Sequence, residues 1–81
     1  MKKSELLKLK RKMVESSRMV SIGYDEASKT LVIEFKANKI YSYKPITPEG
    51  FNKLLHSESK GQFFQQNILN NERIKCTKIS K

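Results

Sequence analysis

The stretch Thr30-Leu-Val-Ile-Glu-Phe-Lys-Ala-Asn-Lys-Ile-Tyr-Ser-Tyr-Lys-Pro45 decides the fold of this chain. Leu31, Ile33 and Phe35 alternate with Val32, Glu34 and Lys36, the period of two that a half-buried strand requires. Ala37-Asn38 interrupts, and Ile40, Tyr41, Ser42 and Tyr43 resume with β-branched and aromatic residues, so the segment reads as an antiparallel hairpin. Its register turns on the loop. A two-residue Ala37-Asn38 loop puts Lys36, Lys39, Tyr41 and Tyr43 on one face with Val32 and Glu34. That face would be a basic aromatic platform, suited to stacking unpaired bases while lysines hold phosphates. A three-residue loop slips the register by one, and Tyr41 and Tyr43 then join Leu31, Ile33 and Phe35 in the core with their hydroxyls at its rim. The turn lacks Gly, which favours the longer loop, because a two-residue turn needs positive φ at both positions.

Working outward, residues 19–24 form a preceding strand in which Val20, Ile22 and Tyr24 alternate with Met19, Ser21 and Gly23, and Asp25-Glu-Ala-Ser28 turns the chain into the hairpin. Residues 4–15 read as a helix capped by Ser4. Leu6, Leu9 and Met13, with Leu7 and Val14, make an apolar stripe opposite Lys8, Lys10, Arg11 and Lys12. After the hairpin, Thr47 is placed to cap a helix over 48–56 with Pro48 at its first position and Phe51, Leu54 and Leu55 on one side. Ser59 and Gln62 have capping-box spacing for a second helix, with Phe64 and Ile68 one turn apart on its apolar face. Asn70-Asn71 ends it, and Arg73 to Ile79 adds a fourth strand with Ile74 and Cys76 on one face. The expected fold is α+β: a three- to four-stranded antiparallel sheet packed against two helices and preceded by a basic N-terminal helix. The division is a basic amphipathic helix over 1–15 and one domain over 16–81.

Eighty-one residues give room for one small domain with a modest core. Seventeen Lys and Arg against eight Asp and Glu leave a net charge of +9, which attracts polyanions. Residues 1–18 carry seven of the cations and two of the acids, more than half of the excess. Cys76 and His56 are the single cysteine and histidine, so an intramolecular disulfide and a thiolate metal cluster are excluded, and a cofactor or metal site is not expected. One histidine gives no convincing Ser/His/Asp set, and the carboxylates are scattered, so enzyme activity is not expected. A lone thiol fits a reducing compartment. Lysines interrupt any apolar leader, and no apolar run approaches the length of a membrane span, so a cytoplasmic location is expected.

Ser21-Ile-Gly-Tyr24, the Tyr41-Ser-Tyr43 of the hairpin and Ser59-Lys-Gly-Gln-Phe-Phe64 occur in that order, and together they resemble the KTSC domain, a small domain also found at the C-terminus of some lysyl-tRNA synthetases. The resemblance covers roughly residues 16–73. It departs at Ala37-Asn38, where many members have Asn-Gly. Attachment to a tRNA synthetase implies proximity to RNA. Similar domains also stand alone in bacteria and bacteriophages, where compact proteins act by binding a host protein.

Two function classes follow. The leading one is a non-enzymatic module for RNA or another polyanion, using Lys8, Lys10, Arg11 and Lys12 on the leading helix, Lys36, Lys39, Tyr41 and Tyr43 on the hairpin, and Lys60 and Gly61 at the second helix start. At that start Gly61 lets a phosphate approach backbone N–H groups, beside Lys60 and the Ser59 hydroxyl. The alternative is a protein-interaction module that docks Leu6, Leu9 and Met13, or its edge strand, on a partner with an acidic or apolar surface, or on a second copy of itself as a homodimer through residues 1–15. His56 is read as a cation favouring a helix C-terminus, and Cys76 as a small core residue.

Overall fold

The hairpin takes the longer loop. In the computed structural model, Phe35 pairs with Lys39, Ile33 with Tyr41 and Leu31 with Tyr43, leaving Lys36-Ala-Asn38 as the connection. Ala37 and Asn38 sit at φ 67° and 59°, a conformation Asn tolerates better than Ala. Tyr41 and Tyr43 therefore share a face with Leu31, Ile33 and Phe35, and the open platform implied by a two-residue loop does not form.

The structure describes residue 6, residues 9–14 and residues 18–80. Five strands form one sheet: β1 (Arg11–Met13), β2 (Met19–Asp25), β3 (Thr30–Phe35), β4 (Lys39–Lys44) and β5 (Lys75–Lys78). They lie in chain order, each antiparallel to its neighbour, so every connection is local except that from β4 to β5. That connection carries α1 (Pro48–Leu55) and α2 (Lys60–Phe64), which runs on into a π-helical turn over Gln65–Leu69. The fold is α+β as expected, with one strand more than the sequence suggested.

The extra strand corrects the N-terminal reading. Arg11–Met13 is not helical; it pairs with Ser21–Gly23 as β1. Of the expected helix over 4–15, residues 4, 5, 7, 8 and 15, Lys8 among them, lie outside the described residues. Gly23 explains the placement. A Cβ there would come within 2.7 Å of Arg11 Cγ, 2.9 Å of the Lys10 carbonyl oxygen and 3.4 Å of Leu9 Cδ2, so only glycine lets the leading segment lie this close to β2.

The sheet has a front and a back. On the front, Met19, Ile22, Leu31, Ile33 and Tyr43 meet Leu54 of α1 and Phe64 and Ile68 of the second helical segment, all buried. Strict alternation would put Met19 with Ser21 and Gly23 on the back. A bulge between Met19 and Ser21 resets the phase, so Met19 joins the front core while Ser21 stays behind. On the back, Val32 is covered by Leu6, Leu9, Ile40 and Ile79. Leu6 and Leu9, the docking residues of the alternative reading, are thus occupied within the fold, and Leu6 keeps only 6% of its surface exposed. Met13, the third member of that set, is 77% exposed.

Several sequence signals act as expected. Thr47 caps α1 by accepting a hydrogen bond from the Gly50 N–H at 3.0 Å, with Pro48 in the first turn, and His56 ends the helix. Tyr24 stacks on Phe51 at 4.7 Å between ring centroids, and its hydroxyl donates to the Ile46 carbonyl, tying β2 to the segment that enters α1. Two signals do not. Ser59 precedes α2 but makes no side-chain capping bond, so the expected capping box is absent. Cys76 is exposed rather than core, because β5 is an edge strand whose four residues all remain open.

Candidate functional site

The register that removes the open tyrosine platform builds a groove instead. At the hairpin end of the front face, Phe35, Tyr41, Tyr43 and Phe64 line an open groove of about 230 Å³, completed by Arg18, Met19, Lys39, Gly61 and Leu69. Tyr43 and Phe64 form its floor, edge to face at 5.0 Å. Tyr41 meets Phe35 at 5.8 Å with their rings at 72°, and lies 6.5 Å from Tyr43. Tyr43 is buried, whereas Phe35 and Tyr41 are half-buried and Leu69 is 54% exposed at the rim. The lining is mostly apolar, and its charged members, Arg18 and Lys39, are both cations. Lys78 pairs with Tyr41 across β4 and β5, adding a further cation beside that ring.

Local structure explains the convergence. Met19 pairs with Phe35 and Phe35 with Lys39, so the start of β2, the end of β3 and the start of β4 meet at one end of the sheet. The Lys36 N–H donates to the Arg18 carbonyl at 3.4 Å, holding Arg18 beside the hairpin loop. Gly61 brings the first turn of α2 against the same end; a Cβ there would stand 4.0 Å from Arg18 Cδ. Burial holds the Tyr43 phenol protonated well above the usual tyrosine range, reinforced by its bond to Cys76 and by the nearby Cys76 and Tyr41. Tyr24 is also raised, first by burial and then by Glu26 and Asp25.

A second open groove, about 480 Å³, lies between β1 and the end of α1, lined by Lys12, Met13, Val14, Asn52, Leu55, His56 and Lys60. The two grooves meet at the start of α2, where Lys60 lines one and Gly61 the other. The Lys60 ammonium donates to the Ser57 carbonyl at 3.4 Å. The anion cradle imagined from Ser59, Lys60 and Gly61 together is therefore divided between two surfaces.

The basic run Lys10-Arg11-Lys12 is divided too. Pairing with Gly23 turns Arg11 to the back face, where a guanidinium nitrogen lies 3.8 Å from a Glu34 carboxylate oxygen that also accepts the Ser21 hydroxyl at 3.0 Å. Lys12 pairs with Ile22 and faces the front. Arg11 is thus a structural cation on the back, whereas Lys12 lines the front-face groove. Lys10 and Lys36 are exposed at the margins. Sequence reasoning missed Arg18, Leu69 and His56 as groove residues; for Arg18 the signal was available only once the Met19–Phe35–Lys39 register was known. Among the described residues, no group of three or more His, Cys, Asp or Glu could hold a metal ion, and no helix is long and apolar enough to cross a membrane.

These features define a small α+β domain whose recognisable surface is an aromatic groove rimmed by cations. The KTSC domain family model matches residues 15–71, and the chain belongs to that family. It is similar to a crystal structure of a KTSC domain protein from Yersinia pestis, with a TM-score of 0.77 and 31% identity, covering 86% of this chain and 96% of that one. It is also 36% identical over 58 residues to an uncharacterized protein of Stutzerimonas stutzeri, spanning 72% of this chain and 82% of the relative. A protein of Tsukamurella paurometabola is 42% identical over 50 residues, 62% of this chain and 75% of that protein.

Proposed function

We propose that this chain is a non-enzymatic RNA-binding module of the cytoplasm whose ligand lies across the two front-face grooves. The observation that carries the reading is the convergence of Lys39, Tyr41, Tyr43 and Gly61 with Arg18 in one groove, next to a second that holds Lys12 and Lys60. Aromatic rings offer stacking surfaces, and the flanking cations match phosphate; with a net charge of +9, the chain draws polyanions towards both. The exposed, unpaired Cys76 supports a reducing location.

The test is a titration of labelled single-stranded RNA and of a tRNA mixture at two salt concentrations, with wild type and a Lys12→Glu/Lys39→Glu variant. The reading predicts salt-sensitive binding that the variant loses, because each released counterion steepens the salt dependence. No binding by wild type at low salt would overturn it. Protein interaction is the second reading, favoured by one observation: β5 is an exposed edge whose outer side is open to an added strand. Docking through Leu6 and Leu9 is not part of it, since both already cover Val32.

A further inference from the structure

The groove at the hairpin end is small. Its volume of about 230 Å³ lies below the roughly 300–1,000 Å³ of pockets that enclose drug-sized ligands. It is walled by Phe35 and Tyr41 and floored by Tyr43 and Phe64, so a flat apolar ring meets ring surfaces from more than one side. Its charged lining residues are Arg18 and Lys39, which suit an anion attached to that ring and not a cationic ligand. A double helix is too broad to enter, and stacked bases inside a duplex present no free faces.

We infer that this groove captures one unpaired nucleobase, packed against Tyr41 and under Leu69, while the phosphates on one side of it run past Gly61 towards Lys12 and Lys60. The inference rests on the RNA reading and narrows it to single strands recognised through a base. Gly61 has a specific part here: without a side chain, the backbone between the grooves leaves a path for the strand. Tyr43 supplies a closed floor, while Tyr41, half-buried in the groove wall, makes the contact that depends on the ligand.

The experiment compares oligonucleotides of equal length and charge: a single strand with all its bases, an abasic strand, an abasic strand with one adenine restored, and a duplex. Binding is read from the anisotropy of a label on each strand, which does not depend on the tyrosine replaced, and tyrosine emission, unobscured by tryptophan, follows the wild type. The expected result is that removing all bases weakens binding about 5-fold or more, that one adenine restores most of it, and that Tyr41→Ala abolishes the difference. Leu69→Ala, at an exposed position, provides a second variant should Tyr41→Ala fold poorly; it is expected to weaken the single-adenine ligand and leave the abasic strand unchanged. Equal affinity for base-bearing and abasic strands, or for duplex and single strand, overturns base capture but leaves an electrostatic RNA-binding role standing. Absence of binding to every oligonucleotide at low salt overturns both. A response of Tyr41 to N-acetyl-phenylalanine amide, with none to the base-bearing strand, assigns the groove to an apolar peptide side chain and overturns the inference.

Discussion

On its front, the sheet is closed by two helical segments whose Leu54, Phe64 and Ile68 meet Ile22, Leu31, Ile33 and Tyr43. On its back it is closed by single residues of the leading and trailing chain, Leu6, Leu9 and Ile79, around Val32. The front is thick, aromatic and grooved; the back is thin and holds an ion pair between Arg11 and Glu34. A small domain can thus leave one face grooved and still bury the other with a few residues of its leading and trailing segments. The same basic run serves both purposes, because strand pairing sends Arg11 backward and Lys12 forward.

Removing matched leucines from the two faces is expected to have the largest effect. Leu54→Ala, at a fully buried front position, is expected to cost about 2–5 kcal/mol. Leu6→Ala should cost less, about 2 kcal/mol, because the back layer is thin and relaxes more readily. Urea unfolding of both variants measures the difference; equal losses would mean that the two faces are equally closed. Next in size, Gly23→Ala forces a Cβ onto Arg11 and the Lys10 backbone and is expected to destabilise by about 1–3 kcal/mol. It should also increase amide exchange in β1 while leaving α1 protected.

How far the sequence foretold these two faces differs between them. Alternation, the missing Gly of the turn and the Thr47-Pro48 cap led correctly to the front. The back was misread because Leu6, Leu9 and Met13 fit a helical stripe, while Arg11-Lys12-Met13 has no strand preference of its own. Tertiary pairing over Gly23 overrides that local pattern, and nothing in a strand's composition reveals which neighbour will pair with it. Cys76 was misplaced for a similar reason: its alternation was read correctly, but its position on an edge strand depends on the order of strands. The groove was half legible. Lys39, Tyr41, Tyr43 and Gly61 were singled out, but Arg18 and Leu69 needed the register and the helix placement.

Smaller effects sharpen the contrast. Glu34→Ala should cost about 1 kcal/mol, since it removes the acceptor of Ser21 and the partner of Arg11, each of the charged pair being about one-fifth exposed. The RNA binding proposed for the front should be unchanged in the same variant. Smallest in the ordinary range is the effect of alkali. Tyr24 and Tyr43 have raised phenol pKa values in the folded state. The stability they contribute is present below the unfolded value of about 10 and is lost as pH rises above it towards the folded values. Absorbance at the tyrosinate band, followed together with circular dichroism, should show the Tyr43 phenol ionising only as the fold is lost. Ionisation of Tyr43 while the circular dichroism is unchanged would contradict its burial.

The most direct test of the account is an amide chemical-shift map of the whole chain titrated with a short single-stranded RNA. The account predicts shifts at Arg18, Lys39, Tyr41, Gly61 and Leu69, extending to Lys12 and Lys60, with Val32, Glu34 and Ile79 unmoved. Shifts centred on the back face, or none at low salt, would contradict it.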